Sequence, residues 1–201
     1  LTLRFPWLNM ISTSRARSPL VCPRVFISHR QSDIALATRL AYLAHQETFD
    51  YWLDVIDLPA EKTTQVQRIE VTLRRALTPF EVNVLQAAII EMALINCTHI
   101  VALMTQRTAG SQWVPFEYGR VDRGGHAKDP ATAYCVTTSI KITDLPEYLH
   151  LAPIHTLESE IRSWLKVEKA LFAKCTEQEQ RQGRPEWADE IPAPLSNDVS
   201  R

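Results

Sequence analysis

The segment Arg24-Val25-Phe26-Ile27-Ser28-His29 is a short apolar run that ends in two polar residues. Consecutive apolar residues, without alternation, are typical of a strand that is buried on both faces, as in a parallel sheet. The segment therefore predicts a buried parallel strand that carries Ser28 and His29 at its carboxyl end. Ser32 or Asp33 can cap the helix that follows, in which apolar residues recur at helical spacing.

The same alternation of strand and helix continues along the chain. Further apolar runs predict strands over residues 49–56, 99–105 and 132–140. Helical patterns separate these runs, and a last amphipathic helix is expected after Thr156. Strands that alternate with helices predict an α/β fold, in which a central parallel sheet is covered by helices on both faces.

The boundaries of the domain follow from composition. We expect one domain over residues 23–172, preceded by a leader of residues 1–22 and followed by a polar tail of residues 173–201. Within the domain, a polar and helix-prone stretch over residues 58–85 predicts a helical extension, which Pro79 interrupts.

Composition excludes several classes of function. The net charge of -1 provides no basic field for nucleic acid or anionic lipid, and no apolar run is long enough to cross a membrane. Of the five glycines, Gly110 is the first, so the first half of the chain cannot form a P-loop or a dinucleotide-binding fingerprint. A nucleotide would have to bind by another route.

The four cysteines are widely spread and none has the spacing of zinc ligands. Cys97 and Cys135 lie in apolar runs and are expected in the core. His150 and His155 flank Pro153 in an expected loop, without a carboxylate or cysteine at ligand spacing. We therefore expect no metal site and a reducing, cytoplasmic location.

Ligands of open parallel sheets bind at the carboxyl ends of the strands. The side chains expected there are those of Ser28, His29, Asp54, Asp57, Thr105 and Ser111. A Ser28–His29–Asp33 triad is disfavoured, because adjacent residues of an extended segment point to opposite sides. For Asp54 and Asp57, a capping role and a ligand contact remain equally open.

Three segments resemble sequence boxes of the TIR domain family. Residues 24–29 followed by Asp33 are similar to the first box, and Tyr51-Trp52-Leu53-Asp54 is similar to the second strand. Residues 100–105, followed by Ser111-Gln112-Trp113-Val114-Pro115-Phe116-Glu117, resemble the family's strand, serine, tryptophan and glutamate pattern. The resemblance implies a flavodoxin-like, three-layer fold with a central parallel sheet.

The resemblance also implies a function, which is hydrolysis or cyclisation of NAD+ in bacterial antiphage immunity. Glu117 matches the family's catalytic glutamate, and NAD+ is a substrate, so no bound cofactor is expected. The substrate-binding residues expected are Phe26, Ser28, His29, Asp54, Ser111 and Trp113. The implied partners are further copies of the chain and a downstream effector that senses the product, with residues 58–85 as a candidate contact surface.

The spacing of Trp113 and Glu117 fits this chemistry, because residues four apart lie on one face of a helix. An indole can stack on nicotinamide while a carboxylate stabilises the positive charge that develops on the ribose. Spacing alone favours a core position for Trp113 and a solvated acid at Glu117, and the resemblance reverses that preference. A non-catalytic TIR adaptor and a nucleoside deoxyribosyltransferase-like enzyme are the alternative functions.

Overall fold

A computed structural model describes residues 23–53, 64–108, 110–111, 113–120 and 129–182. The strands are β1 (Arg24–Ser28), β2 (Asp50–Leu53), β3 (His99–Met104), β4 (Ala131–Cys135) and β5 (Ile154–His155). The α-helices are α1 (Ile34–Gln46), α2 (Thr64–Leu73), α3 (Pro79–Ile95), α4 (Trp113–Arg120) and α5 (Glu158–Gln182). Short 3-10 helices cover Gln31–Asp33, Ile142–Asp144 and Glu147–Leu151.

The five strands form one parallel sheet in the order β2-β1-β3-β4-β5. In the central pairing, Phe26 of β1 lies opposite Trp52 of β2 and Ile100 of β3. This strand order is that of flavodoxin-like folds, whose ligand crevice lies where the connections from β1 and β3 leave on opposite faces. The predicted α/β, flavodoxin-like architecture with a central parallel sheet is confirmed.

The alternation of side chains along β1 distributes the core over two faces of the sheet. Val25 and Ile27 pack in one cluster with residues of α1 and α5. Phe26 packs on the other face, with Ile90 and Leu94 of α3. Because Ser28 is two residues beyond Phe26, its side chain points to the same face as Phe26.

Helix α3 begins in a capping box, the reciprocal arrangement in which an N-cap Thr and a Glu three residues later bond each other's backbone. The Thr78 N–H donates to Glu81 Oε2 at 2.9 Å, and the Glu81 N–H donates to Thr78 Oγ1 at 3.3 Å. Pro79 occupies the first helical position, where its missing N–H costs nothing. The predicted interruption at Pro79 is therefore the start of a helix.

The Arg75 guanidinium donates two hydrogen bonds to the Glu81 carboxylate of this capping box, at 2.9 and 2.7 Å. The Arg75 hydrogen bond and the Thr78 N–H hold the pKa of Glu81 well below its ordinary value. The connection from α2 to α3 is thus tied to the helix that covers one face of the sheet.

The second half of the chain departs from the expected elements in three places. Strand β4 ends at Cys135, because a turn in which the Ser139 and Ile140 N–H groups bond the Val136 carbonyl reverses the chain. Strand β5 lies where a loop was expected. Helix α5 continues to Gln182, beyond the expected domain end at residue 172, since its polar residues are largely good helix formers.

Among the described elements, helix α5 is the longest at 25 residues, and charged residues recur along its length. None of the helices in the described ranges combines the length and the apolar character needed to cross a lipid bilayer.

Candidate functional site

A buried hydrogen bond joins the end of β1 to α4. The Ser28 hydroxyl donates to Glu117 Oε2 at 2.5 Å. Ser28 has no exposed surface and Glu117 is 3% exposed. The contact arises because the pleat of β1 turns Ser28 toward the face that α4 covers. It places a carboxylate beside the boundary between β1 and β3, where this class of fold binds ligands.

The first turn of α4 is organised by Ser111. The Trp113 N–H donates to Ser111 Oγ at 3.3 Å, so the Ser111 hydroxyl satisfies a backbone donor at the start of the helix. Trp113 is 46% exposed, and its ring contacts Phe116 edge-on, at 5.9 Å between centroids. The Phe116 ring in turn lies beneath the Arg120 guanidinium. An aromatic surface therefore borders the start of the helix.

The structure contradicts both ordinary interpretations of this pair, namely that Trp113 is a core residue and that Glu117 is a solvated acid. Trp113 is half exposed and does not lie in the core, while Glu117 is buried and not solvated. Successive residues of an α-helix are about 100° apart, so residues four apart differ by about 40°. Val114 and Glu117 lie on the buried side of α4, and Trp113 lies on the exposed side with Phe116. The shared face predicted for Trp113 and Glu117 is therefore not observed, because the indole is largely exposed and the carboxylate is buried.

A second polar cluster lies at the same end of the sheet. Asp33 directly precedes α1, but its side chain forms no hydrogen bond to the helix, so the predicted cap by Asp33 is wrong. Its carboxylate instead accepts from Thr105 Oγ1 at 2.8 Å and from Arg107 Nη1 at 3.2 Å. The loops that follow β1 and β3 are joined through this carboxylate.

His29 is held by its own backbone neighbour. Nδ1 lies 3.0 Å from the Ile27 carbonyl, which can only accept, so Nδ1 carries the proton and Nε2 is an acceptor in the neutral ring. Nε2 is buried and has no hydrogen-bond partner among the described residues. The Ser28 hydroxyl is committed to Glu117, which agrees with the prediction that Ser28 and His29 do not form a nucleophile–base pair.

The other residues predicted to bind substrate differ in where the structure places them. Phe26 has no exposed surface and packs against α3 as a core residue, and Ser28 on the same face of β1 is likewise buried. Asp54 and Asp57 lie outside the described residues. Hydrogen bonds join Ser28 to Glu117 and Ser111 to the backbone of Trp113, and the substrate contacts assigned to these residues stay predictions.

Cys97 and Cys135 are core residues, as expected. Cys97 is 7% exposed and Cys135 has no exposed surface, and neither forms a disulfide. Burial raises the pKa of the Cys97 thiol to about 12 and also raises the pKa of Cys135. In the ranges that the structure describes, no three His, Cys, Asp or Glu side chains are grouped in a way that could hold a metal ion.

Histidine 155 is a strand residue and not a loop residue, because residues 154–155 pair with β4. Burial lowers the pKa of His155, with a smaller opposing effect from Glu160. Its position at the outer strand of the sheet, beyond β4, keeps it apart from the Ser28–Glu117 pair.

Sequence reasoning missed the Asp33–Thr105 contact. Thr105 was expected at the crevice as the end of the strand over residues 99–105, whereas Asp33 was expected as a helix cap and as part of the first sequence box. Nothing local relates the two residues, which are 72 positions apart. The available signal was that both directly follow the strands that border the predicted crevice, β1 and β3.

Comparison of the chain with models of known protein families gives no match. Comparison with curated proteins likewise gives no match. The functional interpretation therefore depends on the residues at the carboxyl ends of β1 and β3 and on the motif resemblance.

Proposed function

We propose that this chain is a TIR-type domain that cleaves NAD+ into nicotinamide and ADP-ribose or a cyclic ADP-ribose, with Glu117 as the central carboxylate. The observation that carries the proposal is the buried Ser28–Glu117 hydrogen bond at the β1–β3 boundary, on the helix whose first residue, Trp113, has an exposed indole. A buried acid that is oriented by a hydroxyl, one helical turn from an exposed aromatic residue, supports a site for a sugar that bears a flat base.

The chemistry assigned to this carboxylate is electrostatic. As the bond between the ribose C1′ and the nicotinamide nitrogen breaks, its electron pair leaves with nicotinamide and positive charge develops on C1′ and the ring oxygen. A carboxylate held nearby stabilises this charge, as in glycoside hydrolysis. Ser28 donates to Oε2 and thereby fixes the orientation of the Glu117 carboxylate.

Two nucleophiles can complete the reaction. Water attack on C1′, with loss of a proton, gives ADP-ribose. Attack by an adenine nitrogen of the same molecule gives a cyclic isomer. In either case Trp113 is assigned to the departing nicotinamide, because an exposed indole offers a flat face for stacking.

In the proposed setting, copies of the chain assemble in the cytoplasm of a bacterium during antiphage defence, and a downstream effector senses the product. Assembly is part of the proposal because Glu117 is only 3% exposed in the single chain. A contact from a second copy that shifts α4 would give substrate access to the carboxylate.

A second candidate is a non-catalytic TIR adaptor. The observation in its favour is the same burial of Glu117, combined with the exposure of Trp113 and Phe116 on α4. In this case the Ser28–Glu117 bond only supports the fold, and the aromatic residues serve homotypic contacts.

The experiment that separates these functions is incubation with NAD+ over a range of protein concentrations, followed by product identification. We expect nicotinamide release that rises more steeply than the protein concentration, because assembly completes the site. Intact NAD+ after long incubation with an assembled sample would contradict the enzyme and favour the adaptor. Base exchange on a deoxynucleoside without NAD+ cleavage would instead indicate the deoxyribosyltransferase-like alternative.

A further inference from the structure

The buried contact between Asp33 and Thr105 has a defined direction. Thr105 Oγ1 carries one hydrogen, and it donates that hydrogen to Asp33 Oδ2 at 2.8 Å, because a carboxylate can only accept. Thr105 Oγ1 lies 3.1 Å from Thr108 Oγ1, so in this contact Thr108 is the donor. Asp33, Thr105 and Thr108 are 5, 3 and 1% exposed, so the direction is protected from competition by water.

This cluster continues to the start of α4. The Arg107 N–H donates to Thr105 Oγ1 at 3.2 Å, and the Ser111 N–H donates to the Thr108 carbonyl at 2.9 Å. Ser111 Oγ then accepts the Trp113 N–H. An unbroken series of hydrogen bonds therefore runs from the Asp33 carboxylate to the first residue of the helix that carries Glu117.

The exposed side chain of Arg107 also contacts the Asp33 carboxylate. Arg107 Nη1 donates to Asp33 Oδ1 at 3.2 Å and to the Ser32 carbonyl at 3.1 Å. The Arg107 side chain is 65% exposed, so solvent screens this ion pair. The Thr105 hydroxyl, which is buried, is the stronger of the two attachments.

We propose that Asp33 is a positioning residue for the Ser28–Glu117 site. Through Thr105 and Thr108 it fixes the loop after β3 against the loop after β1, and so sets where α4 begins. Ser28 lies at the end of β1 and Glu117 lies on α4, so the geometry of their pair depends on this junction. The effect on NAD+ cleavage rests on the proposed function, whereas the effect on the loop does not.

The test compares two isosteric substitutions, Thr105→Val and Thr132→Val. Thr132 is the matched control, because it is also a fully buried threonine whose hydroxyl donates a 2.8 Å hydrogen bond, in this case to the Pro153 carbonyl beyond β4. Both variants lose one buried hydroxyl, but only Thr105→Val removes the attachment of the loop. Thr105→Ser restores the hydroxyl without the methyl group.

Two readouts are measured on the full chain, namely amide hydrogen exchange of Arg107 and Ser111, and kcat and KM for NAD+. For Thr105→Val we expect at least about tenfold faster exchange at these amides and at least about a tenfold lower kcat, since small displacements of reacting groups cost up to about a hundredfold. Thr105→Ser regains most of both. Thr132→Val lowers global stability without a selective change at either amide.

Equal exchange at Arg107 and Ser111 in Thr105→Val and Thr132→Val, at matched global stability, would overturn the proposal. If Thr105→Val does not fold, Asp33→Ala removes the acceptor of the Thr105 hydroxyl and leaves Thr105 and Thr108 in place, and the same local increase in exchange is expected. If the wild-type protein does not cleave NAD+, the proposed function fails, and the exchange measurements still decide the role of Asp33.

Discussion

The Ser28 hydroxyl donates a 2.5 Å hydrogen bond to Oε2 of Glu117, across 89 positions of the sequence. It connects the carboxyl end of β1 to the buried side of α4 at the boundary between β1 and β3. Because both groups are buried, the bond replaces water that the carboxylate would have in the unfolded chain. The pair therefore contributes to the stability of the fold and also belongs to the proposed site.

Replacing Ser28 by Ala tests that stability. We expect Ser28→Ala to lower the free energy of unfolding by about 1.5–3 kcal/mol, because a buried carboxylate loses a donor. Urea denaturation measures the change. Ser163→Ala is the matched control, since Ser163 is exposed and its hydroxyl bonds the Ser159 carbonyl within its own helix, so a change within about 0.5 kcal/mol is expected. Equal effects of the two substitutions would contradict the account.

At the opposite end of the central strand, where β3 begins, His99 and Glu168 form a buried pair. They are 0 and 1% exposed, and His99 Nε2 lies 3.4 Å from Glu168 Oε2. Glu168→Ala is expected to lower the free energy of unfolding by about 1–3 kcal/mol, because buried polar groups at His99 and Asp129 lose their hydrogen-bond partner. The exposed neighbour substitution Lys169→Ala is the control in the same denaturation assay. A loss below about 1 kcal/mol for Glu168→Ala would show that the pair contributes little.

The capping box of α3 predicts a dependence of stability on pH. The Arg75 hydrogen bond and the Thr78 N–H lower the folded-state pKa of Glu81 far below its ordinary value of 4.5. A lowered folded-state pKa stabilises the protein fully above the unfolded pKa, and the contribution is lost as pH falls toward the folded pKa.

Glu81→Gln should therefore be less stable than wild type by a constant margin above about pH 5.5, and the margin should shrink progressively below about pH 4.5. Thermal or urea denaturation from pH 3 to pH 8, in both proteins, measures the margin. A margin that widens as the solution becomes more acidic would have the wrong sign and would refute the assigned pKa direction.

Burial of Cys97 predicts low chemical reactivity. A thiol with a pKa of about 12 has roughly a thousandfold less thiolate at neutral pH than an ordinary cysteine, and the thiolate is the reactive form. We expect iodoacetamide to leave Cys97 unmodified in the native protein and to modify it in urea, as read by mass spectrometry. Rapid modification of Cys97 under native conditions would show that this part of the core opens readily.

Local patterns predicted most of the architecture. The unalternating apolar run of β1 and the helical spacing after it required a buried parallel strand and a covering helix. The outer strand β5 was not predictable in the same way, because Ile154 and His155 are too few to show a pattern and follow Pro153. The polar residues of α5 after residue 172 carry helix propensity without apolar periodicity, so the helix end was placed too early.

The candidate site was predictable where it depends on motifs and strand ends, as for Ser28, Ser111 and Glu117. The role of Asp33 was not, because its choice between a cap and the Thr105 hydroxyl is decided by a tertiary contact. The core position of Phe26 likewise follows from α3 covering that face of β1, which the residue's own neighbours do not reveal.

The central claim is that the Glu117 carboxylate acts on NAD+, and its most direct test is the rate of nicotinamide release by Glu117→Gln and wild type at the same assembled state. The control is Glu147→Gln, which removes a carboxylate from an exposed position in the segment Glu147–Leu151. We predict that Glu117→Gln is at least about a hundredfold slower and that Glu147→Gln equals wild type. Unchanged nicotinamide release by Glu117→Gln would contradict the account.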